Sequence, residues 1–508
     1  MSDRPALAEP LRFSTSAGRW VLLTSILGSG LAGIDATVVN VALPAIGRDL
    51  DADFAVLQWT VTAYTLTLAS FILLGGALGD RYGRRRVFVV GVVWFAVSSL
   101  LCGLAPDSAT LIAARALQGV GAALLMPGSL SMIQASFAAE DRARAIGAWS
   151  GLGGVATAIG PFIGGWLVET ASWRWVFLIN VPLAVIVVLL AQRHVPETRD
   201  PEATGRVDLP GAVLGALALG GITFALMEAP SRGATLLVVA AGVAGVAAAV
   251  GFVVVESRQR NPMLPLAIFR SRQFSAANAV TFVIYGAFSV ALFLLVVQLQ
   301  VVSGFSPIAA GTALLPITVV MLLLSARSGA LAARIGPKLP MSIGPLVCAS
   351  GLLLMLRIGP DASYAADVLP AVLVLVLGFS ILVAPLTATA LAAADDRHAG
   401  LASGVNNAVA RAAGLLAVAV IPIAAGLTGD VYTEPAAFEA GFRTSLLISV
   451  VLLVAGSALA AVTISNDVLQ AEPAEPEPVP TARLRHCAVD GPPLATAPHD
   501  ECSHSLSR

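Results

Sequence analysis

Apolar runs of about 20 residues recur along this chain, the length that crosses the roughly 30 Å hydrocarbon core of a bilayer as a helix. They are continuous rather than alternating with period two. Inside a membrane only helices and closed barrels satisfy their backbones, and barrel strands are shorter and alternate. The sequence therefore predicts an all-α integral membrane protein. Fourteen spans are expected, at about 20–44, 56–78, 87–105, 109–131, 145–168, 175–191, 210–228, 234–255, 274–299, 308–326, 340–357, 366–390, 402–427 and 443–464. Composition agrees: 57% of the residues are hydrophobic and 12% charged, too few charges to coat a soluble surface.

Basic residues set the expected orientation. The tails and the even-numbered loops hold 23 of the 30, the odd-numbered loops hold five (Arg48, Arg174, Arg232, Arg357, Arg443), and Arg115 and Arg411 fall inside spans. The rich side is expected to be cytoplasmic, with both termini on it, in a plasma (inner) membrane. A net charge of −1 gives no reason to expect nucleic acid as a partner. Cys102 and Cys348 lie inside spans and Cys487 and Cys502 near the end, which is no disulfide framework. The polar first 18 residues, followed by an over-long apolar run, do not read as a cleavable signal.

The chain repeats itself. Gly76-Ala-Leu-Gly-Asp80-Arg81-Tyr-Gly83-Arg84-Arg85 aligns with Gly329-Ala-Leu-Ala-Ala333-Arg334-Ile-Gly336-Pro337-Lys338, identical at half of ten positions. The copies follow spans two and ten, so two six-helix halves are separated by an inserted pair, spans seven and eight. The expected organisation is a tail at 1–19, a first half at 20–192, a linker at 193–209, a hairpin at 210–256, a loop at 257–273, a second half at 274–465, and a disordered cytoplasmic tail at 466–508. His486, Cys487, His499, Cys502 and His504 in that tail match no standard metal-site spacing, and neither a metal nor a cofactor is expected.

Asp35 carries the most information. A carboxyl at membrane depth is costly and is placed against a cavity or a partner. Burial raises its pKa and a nearby cation lowers it, so a carboxyl balanced between the two can load and release a proton. At about 1.5 Å per helical residue, Asp35 lies roughly 13 Å from the far end of its span and Arg115 roughly 9 Å from the same end of span four, close enough to pair. The alternatives are a static ion pair for Asp35 and a headgroup-seeking Arg115. Gly79 and Gly83 allow a tight turn, and Gly76, Asp80, Arg81, Gly83, Arg84 and Arg85 form a candidate gating lock. Gly160, Pro161, Gly164 and Gly165 combine a proline bend with close helix contact. Arg411, mid-span, binds an anionic group, pairs with a carboxylate or plays a structural role. Asn40, Gln58, Tyr64, Gln118, Asn278, Tyr285, Gln298, Asn406 and Arg411 are candidates for a substrate cavity; helix-bridging is the plainer role for each amide.

These segments together resemble the major facilitator superfamily, specifically its fourteen-helix drug:proton antiporters. Gly76–Arg86 resembles the loop motif after helix two, Leu111–Gly121 the helix-four motif with its buried arginine, Gly160–Gly165 the antiporter motif of helix five, and Ile34–Pro44 the first-helix motif. Trp173–Pro182 and Ser403–Gly414 also resemble that group, so the likeness spans about residues 20–465. The chain departs from the pattern at Ala156, where glycine is usual; at Ala333, where the second loop motif lacks its acid; and at Ala410, since the arginine stands one residue later at Arg411.

The resemblance implies a secondary transporter rather than an enzyme, a single chain sufficing. It would exchange protons for exported small organic molecules (drugs, dyes, antibiotics or a native metabolite) by alternating access. A siderophore, lipid or self-made antibiotic is an alternative cargo. A symporter and a polytopic membrane enzyme are more distant readings, the latter disfavoured because all five histidines lie in loops or the tail.

Overall fold

A computed structural model describes residues 11–199, 208–259, 262–393, 399–429 and 434–469. The predicted disordered tail lies outside them, apart from Asn466–Leu469, a short 3-10 turn. Fourteen helices are long and apolar enough to cross a membrane. In chain order they are α1 (Ser16–Asp49), α2 (Phe54–Tyr82), α3 (Arg84–Gly103), α4 (Ser108–Ser136), α5 (Ala139–Thr170), α6 (Trp175–His194), α7 (Leu209–Arg232), α8 (Leu236–Arg258), α9 (Arg272–Val301), α10 (Pro307–Ile335), α11 (Lys338–Met355), α12 (Tyr364–Ala392), α13 (Ala399–Ala424) and α14 (Pro435–Thr463). Among the described residues there is no strand, only one isolated bridge between Leu11 and Phe137.

Short polar residues start the helices. The side chains of Thr15, Asp53, Asp107, Asp208, Thr235, Ser271, Ser306 and Ser363 each accept a backbone N–H from the first turn of the helix that follows. Successive helices cross in opposite directions. One end of the bundle therefore carries the arginine-dense turns, and the other carries Asp49, Asp53 and Asp107.

The packing repeats with an offset of eight helices. In the first six, α2 and α3 pack on α4, α5 packs on α1, and α6 packs on α3 and α1. In the last six, α10 and α11 pack on α12, α13 packs on α9, and α14 packs on α11 and α9. The inserted pair breaks the repeat: α7 leans on α2 and α13, and α8 packs mainly on α7. Trp59 of α2 pins this hairpin by donating its indole N–H to Glu228 at 2.8 Å. Leu236, Val243 and Val250 of α8 remain exposed, as expected for a face turned to lipid.

The turn after α2 differs from the expectation in one respect. Gly79 is helical, α2 continues to Tyr82, and the chain reverses on Gly83 alone, at φ 114°. That φ lies where only glycine sits without strain. The repeat copy turns in the same way on Gly336, at φ 87°.

Candidate functional site

Asp35 and Arg115 meet in the centre of the first six helices. Arg115 Nη1 lies 2.5 Å from Asp35 Oδ2, and the side chains are 1% and 0% exposed. Gln118 Nε2 and Asn180 Nδ2 donate to Asp35 Oδ1 at 2.8 and 2.9 Å. Arg115 also donates to Gln118 Oε1 at 2.7 Å and, through Nε, to the Thr60 carbonyl at 3.0 Å. Ser99 receives hydrogen bonds from Gln118 and Asn180 and donates to the Phe177 carbonyl. The Tyr64 ring lies 4.3 Å from the guanidinium carbon. Four helices, α1, α3, α4 and α6, thus contribute side chains to one sealed network. The Asp35 carboxylate thus meets three donors, from Arg115, Gln118 and Asn180.

The sequence does not single out two of these partners as such. Gln118 belongs to this network rather than to a cavity, and Asn180 and Ser99 complete it. No sequence rule fixes which face of an apolar helix an amide occupies, so the grouping becomes visible only in three dimensions.

A cavity of about 400 Å³ lies between the two sets of six helices. Asn40, Tyr285 and Arg411 line it, with Thr62, Thr65, Phe288, Phe379 and Asn407 among the others. The remaining cavity candidates fall elsewhere and bond protein groups instead. Gln58 donates to the Val418 carbonyl at 2.8 Å, Gln298 to that of Ile358 at 3.0 Å, and Tyr64 to that of Ala32 at 3.2 Å. Asn406 donates to Asn278 at 3.2 Å and to Thr281 at 2.9 Å.

The Gly-Pro segment of α5 is a seam. A Cβ on Gly160 or Gly164 would overlap α1 at Thr37 or Val38, and one on Gly165 would overlap the Pro307 carbonyl of α10. Gly311 is equally close to the Pro161 carbonyl. Gly147, Gly151 and Gly154, nearer the arginine-dense end of the same helix, face open space. Hydrogen bonds from Gln58 to Val418, Gln300 to Val41, and Ile308 to Glu169 cross between the two sets of helices, all toward the far end. The bundle is therefore shut at the far end, while α5 stands clear of its neighbours toward the arginine-dense end.

At that end Asp80 pairs with Arg84 at 2.8 Å. Glu197, which follows α6, joins them from outside the sequence motifs. Its Oε1 accepts the Arg85 N–H at 3.1 Å, and its Oε2 lies 3.6 and 3.7 Å from the side chains of Arg85 and Arg86. Gly76 has ordinary room, whereas its neighbour Gly75 is pressed against the Ala123 carbonyl of α4.

Residues 25–418 match the model of the Major Facilitator Superfamily. The chain is 36% identical to a methylenomycin A resistance protein of Bacillus subtilis over 423 residues, covering 82% of this chain and 90% of that protein. It is 35% identical to the puromycin resistance protein pur8 of Streptomyces alboniger, covering 92% and 95%. A tetracenomycin C resistance and export protein of Streptomyces glaucescens is also 35% identical, covering 81% and 77%. Among solved structures, a bacterial homolog of the human lysosomal transporter Spinster superposes with a TM-score of 0.62 at 20% identity, over 89% of this chain and 97% of that one. A D-xylose–proton symporter superposes with a TM-score of 0.61 at 16% identity, over 89% and 99%. The chain belongs to the Major Facilitator Superfamily and is a multi-pass membrane transporter, not an enzyme.

Proposed function

We propose that this major facilitator is a proton-coupled antiporter that exports small organic molecules from the cytoplasm across the plasma membrane. The observation that carries the reading is the sealed network of Asp35, Arg115, Gln118 and Asn180 beside a cavity between the two halves. Asp35 is the proton carrier. Arg115 pairs with it until movement of α1 or α4 withdraws the guanidinium and a proton takes its place. The relatives' names, resistance proteins for methylenomycin A and puromycin, support efflux as the direction.

The arginine-dense end is cytoplasmic and carries both termini, by the bias of basic residues. The clearance around α5 toward that end then describes an inward-open form. The α5–α10 seam closes the outer mouth, and the Asp80–Arg84 and Glu197 contacts brace the inner one. Alternating access requires that proton and cargo bind the two forms with different affinity. A single chain contains all these parts, so the monomer is the working unit.

The test uses respiring everted membrane vesicles loaded with a pH-sensitive dye. Adding methylenomycin A or tetracenomycin C releases protons from the acid lumen in wild type and not in Asp35→Asn at equal expression. Full proton release in Asp35→Asn removes the residue from the mechanism.

A further inference from the structure

Arg411 projects into the central cavity without an acid to meet it. Its Nη2 reaches the Met126 thioether at 3.5 Å, a weak acceptor, and its Nε has no hydrogen-bond partner. Among the described residues no ion pair includes Arg411. Asp35, the buried acid of the first half, already serves Arg115, Gln118 and Asn180. A charge at membrane depth is expensive and is kept where it has a partner or a task. Here the partner is missing, while part of the residue faces a cavity rather than protein.

The rest of the wall is also unfinished. Asn40 Oδ1 and Thr62 Oγ1 are buried and unpartnered. The same cavity carries an aromatic wall: Phe288 and Phe379 stack at 3.8 Å with planes 5° apart, and Tyr285 meets Phe379 edge-on at 5.5 Å. Both Ala410 and Arg411 line the cavity, so moving the arginine one residue along α13 keeps the charge on the cavity wall.

We infer that the cavity selects amphipathic organic anions. A planar apolar body lies along Phe288 and Phe379, and a carboxylate or ionised phenol takes the Arg411 guanidinium in a charge-assisted pair. Asn40 and Thr62 take further polar atoms of the same cargo. Its size is small, since about 400 Å³ sits near the lower end of drug-sized pockets, roughly 300–1,000 Å³. A cation entering this site meets like charge with no carboxylate to receive it. The inference rests on the export reading above and specifies its cargo. Exchange of one inward proton for one outward anion moves charge in the same electrical sense on both legs, so an inside-negative potential drives both.

The experiment is equilibrium binding of coumarin-3-carboxylate and its near-isosteric amide, coumarin-3-carboxamide, to the full chain in nanodiscs, with no gradient. Wild type is expected to bind the carboxylate roughly 10- to 100-fold tighter than the amide, the size of one charged hydrogen-bond pair. Arg411→Gln removes that preference. Arg411→Lys, which keeps the charge, restores part of it and separates a lost charge from a misfolded protein. Equal affinities in wild type, a preference that survives Arg411→Gln, or no carboxylate binding would each overturn the inference. None of these outcomes touches proton coupling, which the vesicle test reads through Asp35, so the two readings fail separately.

Discussion

Gly165 of α5 and Pro307 of α10 touch through their backbones, with no space for a side chain between them. This contact joins the two halves at the end of the bundle that is shut. Overpacking such a seam costs about 1–3 kcal/mol of the closed form, roughly a 5- to 150-fold change in population. Gly165→Leu is therefore expected to shift the protein toward the form open at the α5–α10 end. The measurement is labelling of Asn40→Cys by an impermeant maleimide added from outside. Labelling that stays at the background level in Gly165→Leu means the seam does not govern that opening.

Glu197 anchors the first loop motif from outside it. Its carboxylate accepts the Arg85 N–H at the start of α3 and faces two arginine side chains. A carboxylate at a helix N-terminus caps an orphan N–H and meets the positive end of the helix dipole. Glu197→Ala is expected to lower stability by about 1–2 kcal/mol, and Glu197→Gln by less, since the amide oxygen still accepts the N–H. Thermal unfolding in detergent ranks the variants; an unchanged midpoint for Glu197→Ala would show that the cap is idle.

The pairing of Asp35 with Arg115 is legible in residue counts alone, because depth along a helix follows from position in the span and two opposite charges at one depth are drawn together. The fourteen spans and the offset repeat are legible for the same reason: both are written in linear spacing. Azimuth is not. Gln58, Tyr64, Gln118, Asn278, Gln298 and Asn406 all lie within spans, yet each bonds protein rather than lining the cavity. Helices apolar on every side carry no stripe to orient them. Glu197 escapes a motif-based reading because it lies in neither repeat copy, although a lone acid just after a helix and near an arginine cluster is a usable signal.

Asp208 gives the inner end of the hairpin a pH dependence. Burial disfavours its charge, but the N–H groups of Gly211 and Met263 and the Gln259 amide hold its carboxyl below the ordinary value of 3.8. A carboxyl depressed on folding contributes stability above its unfolded value, and that stability is lost as pH falls through the folded one. The anchorage of α7 and α8 at this point should hold at pH 5 and loosen below about pH 4. Hydrogen exchange at the Met263 amide, corrected for its intrinsic rate, should accelerate there. Asp208→Asn should flatten the response; an equal acid response in that variant would place the sensitive group elsewhere.

The buried pair makes the most demanding prediction, since its two members should not behave additively. Arg115→Gln leaves the Asp35 carboxylate with amide donors but no cation, and an uncompensated buried charge costs about 3–5 kcal/mol. That variant should unfold at a clearly lower temperature than wild type. Adding Asp35→Asn removes the stranded charge, and replacing both members of a buried ion pair is often close to neutral. The double variant is therefore expected to recover most of the lost stability, with Gln118, Asn180 and Ser99 still able to hydrogen-bond the new amides. It should recover no proton-linked transport, because no titratable group remains at the site. Stability that comes back in the double variant while coupling does not would separate the two roles of the pair. Arg115→Gln unfolding at the wild-type temperature would mean that the pair does not hold the fold together.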